Sequence, residues 1–191
     1  MAMPPTIRPC RPEEAPAMLA IINAAAEAYR GAIPADCWHE PYMSADELRA
    51  EIAAGVAFVA TDVDGVMAGL MGIQPVRNVD LIRHAYVSPA HQGKGIGGAM
   101  MKNLRERTRR PILIGTWAAA TWAIHFYEGH GFALVPEASK ALLLKTYWKI
   151  PERQIETSVV LAAPHLDADG AVRLVAAASS LPGPPNARAG A

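Results

Sequence analysis

The sequence predicts an α+β fold built on a central mixed, twisted β-sheet with helices on its faces. Two strand-like runs, 56–62 and 66–74, flank Asp64-Gly65, the dipeptide that a tight type I′ hairpin favours. A strand over Val79–Val87 meets a glycine-rich turn at 91–98, then a helix to about Arg109 that Pro111 stops. The apolar run 112–116 follows and reads as a buried parallel strand. Strand, turn, helix and strand make one βαβ crossover, so parallel and antiparallel pairs share a sheet.

The remaining elements fit around that centre. A short strand at 6–10 opens the chain, and Leu19, Ile22, Ala26 and Tyr29 recur at helical spacing, with Glu13 and Glu14 where a first turn favours negative charge. Ser44 and Glu47 form a capping-box pair ahead of Leu48 and Ile52, and Gly55 offers a left-handed stop, which predicts a helix over 45–54. After the crossover, a helix over 121–130 ends at Gly131 and leads to a strand at 132–135. The β-branched run 154–161 supplies a last strand. From Pro164 onward Ala, Gly, Pro and Ser dominate, too little apolar surface to offset the entropy of ordering. The expected organisation is a single domain over 1–164 and a flexible tail over 165–191, with room for a short helix near 172–178.

Composition removes several function classes. Lys plus Arg and Asp plus Glu both number 18, so no excess positive charge grips nucleic acid or an anionic membrane by counterion release. The two cysteines, Cys10 and Cys37, make neither a disulfide framework nor a zinc site, and reduced thiols are expected. Residues 1–12 hold four prolines and no apolar signal core, and the longest apolar run, 17–26, is half a membrane span and includes Asn23. A soluble cytoplasmic protein is the expectation.

The chemistry starts at Gln92-Gly93-Lys94-Gly95-Ile96-Gly97-Gly98, four glycines in six residues between a strand and a helix. Glycines there bring backbone N–H groups close to an anion, and the helix N-terminus adds roughly half a positive charge, so the turn suits a phosphate or pyrophosphate. Gly93, Gly95 and Gly98 satisfy the dinucleotide pattern G-x-G-x-x-G literally, yet that fold needs an acidic residue about 20 positions on. The window there is Gly115-Thr116-Trp117-Ala118, without a carboxylate. A P-loop needs Lys and then Ser or Thr after its last glycine, and Gly95 is followed by Ile96.

The segment from Val87-Ser88-Pro89-Ala90-His91-Gln92 through Gly93-Lys94-Gly95-Ile96-Gly97 resembles the cofactor loop of the GNAT superfamily of acyl-CoA N-acyltransferases, V-x-P-x-x-Q/R ahead of G-x-G-x-G/A. Further on, Ala123-Ile124-His125-Phe126-Tyr127-Glu128-Gly129-His130-Gly131-Phe132 is similar to that family's A-x-x-F-Y-E-x-x-G-F helix and strand. Both motifs stand in the family's order, separated by one helix and one strand. The resemblance implies a GNAT-like fold with a splayed parallel strand pair, acetyl-CoA as cosubstrate in the opening, no metal, and direct transfer of the acetyl group to a primary amine of a small molecule, amino acid or peptide. It implies pantetheine pairing at Ala85, Tyr86 and Val87 and a pyrophosphate on Gln92, Gly93, Lys94, Gly95, Ile96 and Gly97. Homodimers are common among similar proteins. The departure is Ala120, where the family often has an asparagine that contacts the cofactor.

Acyl transfer needs a neutral amine, a stabilised oxyanion and a proton for the departing thiolate. A lysine-like amine is neutral about once in 10³ at pH 7, so deprotonation costs about 4 to 5 kcal/mol. Tyr127, at the family's tyrosine position, is the candidate acid, a role worth about 10² to 10⁴ in rate. His84 is the candidate base, because alternation sets it with Ile82 and Tyr86 on one strand face. Glu40, Asp80 and a chain of waters are the alternatives. The competing function is a non-catalytic acyl-CoA-binding sensor, against which Tyr127 argues. The segment 140–156 is read either as a cover for the acceptor site or as a subunit contact, and the acceptor itself is not legible.

Overall fold

A computed structural model describes residues 6–180. Its strands are β1 (Thr6–Pro9), β2 (Ala57–Val63), β3 (Val66–Val76), β4 (Val79–Val87), β5 (Ile112–Trp117), β6 (Ala133–Leu134) and β7 (Ser158–Ala163). Its helices are α1 (Ala15–Ala26), α2 (Ala45–Ala53), α3 (Ile96–Glu106), α4 (Thr121–Glu128), α5 (Glu137–Tyr147), α6 (Glu152–Thr157) and α7 (Ala168–Ser179). The strands make one seven-stranded sheet in the order β1-β2-β3-β4-β5-β7-β6. β4 and β5 are parallel, while the β1–β2, β2–β3, β5–β7 and β6–β7 pairs are antiparallel, which is the mixed sheet expected. The backbone divides into two compact units: Met1–Ala28, His39–Gln74 and Ile82–Arg109 form one, and Tyr29–Trp38, Pro75–Leu81 and Arg110–Ala191 the other.

In the first unit the local signals act as written in the sequence. Asp64 (φ 51°) and Gly65 (φ 78°) are both left-handed, as the type I′ turn between β2 and β3 demands. The Ser44 hydroxyl accepts from the Glu47 amide at 3.2 Å, and the Glu47 carboxylate accepts from the Ser44 amide at 2.7 Å, which closes the capping box of α2. Arg8 bridges Asp62 on β2 and Glu14 ahead of α1, and these bonds hold the Glu14 carboxyl down at about 2. Two faces match in part. α1 buries Ile22 and Ala26 as expected, with Met18, Ile21 and Ala25 in place of Leu19, and α2 buries Leu48 with Glu51 while Ile52 is 45% exposed. On α1, Asn23 clamps the loop before α2 by donating to the Met43 carbonyl at 2.9 Å and accepting from its amide at 2.8 Å.

In the second unit β5 pairs with β7 along its whole length, from Ile112–Ala163 to Trp117–Ser158, and with the start of β4 at Asp80–Ile112 and Leu81–Leu113. Val79, Leu81, Leu113, Leu143, Leu144, Tyr147 and Val160 form its core. The strand expected over 154–161 begins only at Ser158. A helix starts there instead, with Pro151 as its extended N-cap and the Glu152 carboxylate in its first turn where the dipole favours it, and Ile155 is buried from that helix. The short helix allowed for near 172–178 is present and longer, as α7 over 168–179. Asp167 caps it by accepting from the Gly170 amide at 2.6 Å, and Ala171 and Ala178 are buried. Residues 181–191 lie outside the described residues. Among those described, no helix is long and apolar enough to cross a membrane. Leu113, fully buried at the centre of this unit, is expected to cost about 2–5 kcal/mol when changed to Ala, read as a lower urea midpoint.

Candidate active site

The glycine turn is shaped for close approach by a ligand. Gly93 (φ 73°) and Gly95 (φ 76°) are left-handed, and a Cβ at either would meet nothing within 4 Å, so glycine is required by the backbone while the space in front stays open. Gly95 is the N-cap of α3, and the amides of the first turn, Ile96, Gly97 and Gly98, have no partner within the helix. The turn is anchored behind: the Ser88 amide donates to the Ala68 carbonyl at 2.8 Å, the Gln92 side chain donates to the Val87 carbonyl at 3.3 Å, and Lys94 donates to the Ala90 carbonyl at 3.1 Å. Lys94 is thus folded against its own loop, beside the amides.

β4 leads into this turn through Ala85, Tyr86 and Val87. The Tyr86 hydroxyl donates to that of Tyr42 at 3.0 Å, and the Tyr86 carbonyl lies 3.1 Å from where a Cβ of Gly69 would stand, so glycine on β3 allows the close strand approach there. His84 departs from the alternation used to place it. It is left-handed (φ 53°), a conformation that costs a non-glycine residue about 1–3 kcal/mol, and Ile82, Arg83 and His84 are buried in succession.

Around His84 lies a charged cluster that the sequence did not announce. The Arg83 guanidinium donates to the Gln74 side chain at 2.8 Å and to Glu51 at 3.1 Å, with its nearest Glu51 oxygen at 2.9 Å. His84 Nε2 lies 3.2 Å from the Glu51 carboxylate, off the line of a good hydrogen bond, and the ring packs 5.8 Å from that of Phe58. The His84 side chain is 1% exposed and that of Glu51 5%. Glu51 was hidden because its surroundings on α2 read as a solvated helix; its position three residues after Leu48 was the available signal.

Tyr127 belongs to the second unit, on the last turn of α4. It is buried, its ring standing edge-on to Phe126 at 5.3 Å and to Phe132 at 6.3 Å. Its carbonyl accepts from His130 and Phe132 beyond the helix end, and Gly131 (φ 82°) makes that reversal. Ala120, ahead of α4, is fully buried and offers no side-chain contact to a cofactor.

Of the alternative bases, Asp80 is buried and faces Arg110 at 3.4 Å, and Glu40 is exposed. Cys10 and Cys37 are free, and burial pushes the Cys10 thiol up to about 11, which rules it out as a ready nucleophile. Among the described residues no group of His, Cys, Asp and Glu is arranged to hold a metal.

Residues 53–134, which contain the hairpin, β4, the glycine turn and α4, match the sequence model of the acetyltransferase (GNAT) domain. Over this stretch the chain is similar to a GNAT acetyltransferase domain. The chain is 26% identical over 129 residues to the L-amino acid N-acyltransferase MnaT of Escherichia coli strain K12, a match covering 60% of this chain and 75% of that protein. In fold it is similar to the PaiA N-acetyltransferase of Thermoplasma acidophilum, a structure in complex with coenzyme A (TM-score 0.61, 15% identity, 84% of this chain and 98% of that one). It is similar too to the ribosomal-protein-S18-alanine N-acetyltransferase of Escherichia coli (TM-score 0.56, 18% identity, 83% and 92%). The match over 53–134 favours the acyl-CoA reading of the glycine turn over both nucleotide-loop readings.

Titration of the buried imidazole gives a test. Burial, the largest cause, pushes His84 below its ordinary 6.5; Arg83 acts in the same direction and Glu51 against it. Below about 6.5 the unfolded state therefore binds a proton that the folded state refuses, so stability falls as pH drops through that value and levels only below the folded pKa. Glu14 adds a separate loss, confined to the range between 4.5 and about 2. The urea midpoint is expected to fall between pH 7 and 5.5, and His84→Gln to flatten that fall.

Proposed function

We propose that this protein transfers the acetyl group of acetyl-CoA directly to a primary amine of a small molecule, amino acid or peptide. The observation that carries the proposal is the open, left-handed pair Gly93 and Gly95 at the N-terminus of α3. The pyrophosphate is assigned to the amides of Gln92, Gly93, Lys94, Gly95, Ile96 and Gly97, where aligned peptide dipoles favour an anion. The pantetheine is assigned to the backbone of Ala85, Tyr86 and Val87. An amino acid or peptide α-amine is favoured by two names: the Escherichia coli relative is an L-amino acid N-acyltransferase, and one neighbour in fold acetylates a protein's alanine.

In this reading the amine nitrogen attacks the thioester carbon and the C–S bond breaks. His84 takes the amine proton, and the Tyr127 hydroxyl protonates the departing thiolate. Tyr127 is assigned by its place in the α4 motif. A cytoplasmic setting is part of the proposal, supported by two free thiols and balanced charge. Acetyl-CoA and the amine are the partners assigned, without nucleic acid or membrane, and with a homodimer as the assembly to look for.

Calorimetric titration with acetyl-CoA, with NADH and ATP alongside, tests the cofactor. Micromolar binding of acetyl-CoA alone is expected, abolished in Gly95→Asp, whose carboxylate faces the pyrophosphate; no binding by the unaltered protein sinks the reading. Tyr127→Phe is expected to lower turnover about 10²- to 10⁴-fold with acetyl-CoA affinity retained, and unchanged turnover refutes Tyr127 as the acid.

A further inference from the structure

In the first unit, β3 lacks a side chain where β4 and the start of α3 come together. Gly69 is buried, and unlike Gly93 and Gly95 it is not left-handed, so its surroundings rather than its own backbone demand glycine. A Cβ there would stand 3.1 Å from the Tyr86 carbonyl oxygen, 3.2 Å from Ile96 Cγ2 and 3.1 Å from Met100 Cε. All three are inside the roughly 3.5–4.0 Å at which non-bonded atoms attract best. The three neighbours differ in how far they can give. The end of Met100 swings on rotatable bonds and moves aside easily. The Tyr86 oxygen is backbone and moves only with β4. Ile96 is buried and β-branched, hence stiff at χ1, so a push on its methyl passes to the first turn of α3. The preceding residue acts at the same place, because the Ala68 carbonyl accepts the Ser88 amide at 2.8 Å and fixes where the glycine turn leaves β4.

We infer that Gly69 is a positioning residue for the cofactor: by offering only a hydrogen, it sets the spacing between the backbone of β4 at Tyr86, assigned to the pantetheine, and the first-turn amides of α3, assigned to the pyrophosphate. This rests on the acetyltransferase reading and deepens it. One ligand has to meet both groups at once, and they stand on different elements joined by the glycine turn. Gly69 touches both, so its lack of a side chain decides how closely strand and helix approach. Donors that already point at a charge hold it better than donors that must be re-aimed on binding, which makes that spacing a determinant of affinity. Gly72, on the opposite face of the same strand, provides the contrast. A Cβ there would meet Val56 Cγ1 at 2.6 Å, the Arg83 carbonyl oxygen at 3.1 Å and the Phe58 ring at 3.2 Å, a place as crowded, with no residue assigned to the cofactor among the three.

Calorimetric titration of the full chain with acetyl-CoA, run on Gly69→Ala and Gly72→Ala alongside their urea midpoints, separates positioning from mere loss of stability. Both midpoints are expected to fall. Gly69→Ala is expected to raise the Kd for acetyl-CoA about 10- to 100-fold, the size of losing one hydrogen bond to a charged group, while Gly72→Ala leaves it unchanged. An unchanged Kd in Gly69→Ala, or the same rise in both variants, overturns the inference. Amide spectra of the ligand-free proteins give a second readout. Gly69→Ala is expected to shift the ¹⁵N–¹H signals of Ile96, Gly97 and Gly98, and Gly72→Ala those around Phe58 and Arg83; first-turn signals of α3 that stay in place in Gly69→Ala overturn the inference. A third measurement needs no variant to fold. In the unaltered protein the Gly69 α-protons are expected to show strong nuclear Overhauser contacts to the Ile96 Cγ2 and Met100 Cε methyls, and absence of those contacts overturns the inference. No binding of acetyl-CoA by the unaltered protein counts against the acetyltransferase reading, while the ligand-free spectra still decide whether Gly69 sets the strand against the helix.

Discussion

A guanidinium placed inside a sheet must be neutralised where it stands, and much of the first unit is arranged around that requirement. Arg83 sits on β4 in near-complete burial, and taking such a charge out of water costs several kcal/mol unless a counter-ion and hydrogen bonds replace the solvent. Glu51 can supply the counter-ion only if α2 begins at the right residue, which the Ser44–Glu47 capping box sets, and only if the loop ahead of it is held, which Asn23 does through both backbone atoms of Met43. Gln74 on β3 closes the remaining side. Helix start, loop clamp and strand register thus converge on one carboxylate.

The legible parts of this chain were those set by backbone chemistry over a few residues. Asp64-Gly65 and the glycine turn both demand positive φ, and both have it. The capping box and the parallel strand at Ile112 followed from equally local rules. The illegible parts were decided by tertiary context. Nothing around Glu51 marks it as buried, because its partner lies 32 residues away on a strand whose own alternation is broken by His84. A left-handed histidine leaves no trace in a hydropathy pattern, so the face reading that paired it with Ile82 and Tyr86 had no means of registering the interruption.

The same contrast explains α7. Its buried positions are Ala171 and Ala178, with Leu174 and Val175 half-buried and Val172 more than half exposed, a weak stripe that resembles tail composition. What holds it is polar and distant: Asn78, between β3 and β4, donates to the Leu174 carbonyl at 2.8 Å, and the single proton of the Tyr147 hydroxyl is shared between the Asn78 side-chain oxygen at 2.9 Å and the Leu174 carbonyl at 3.2 Å. Those bonds join three segments far apart in the chain, and each is invisible until all are in place.

That small polar knot has a practical side. α7 packs on α5, and Leu166, Leu174 and Val175 lie against the core that contains Leu143 and Leu144. A chain ended at residue 164 would uncover that greasy seam and leave the Tyr147 hydroxyl and the Asn78 amide seeking water at its margin, a surface made for sticking to other copies. For this protein the safe place for a fusion or an immobilising linker is past Ser180, not at the compositional break where the alanines begin.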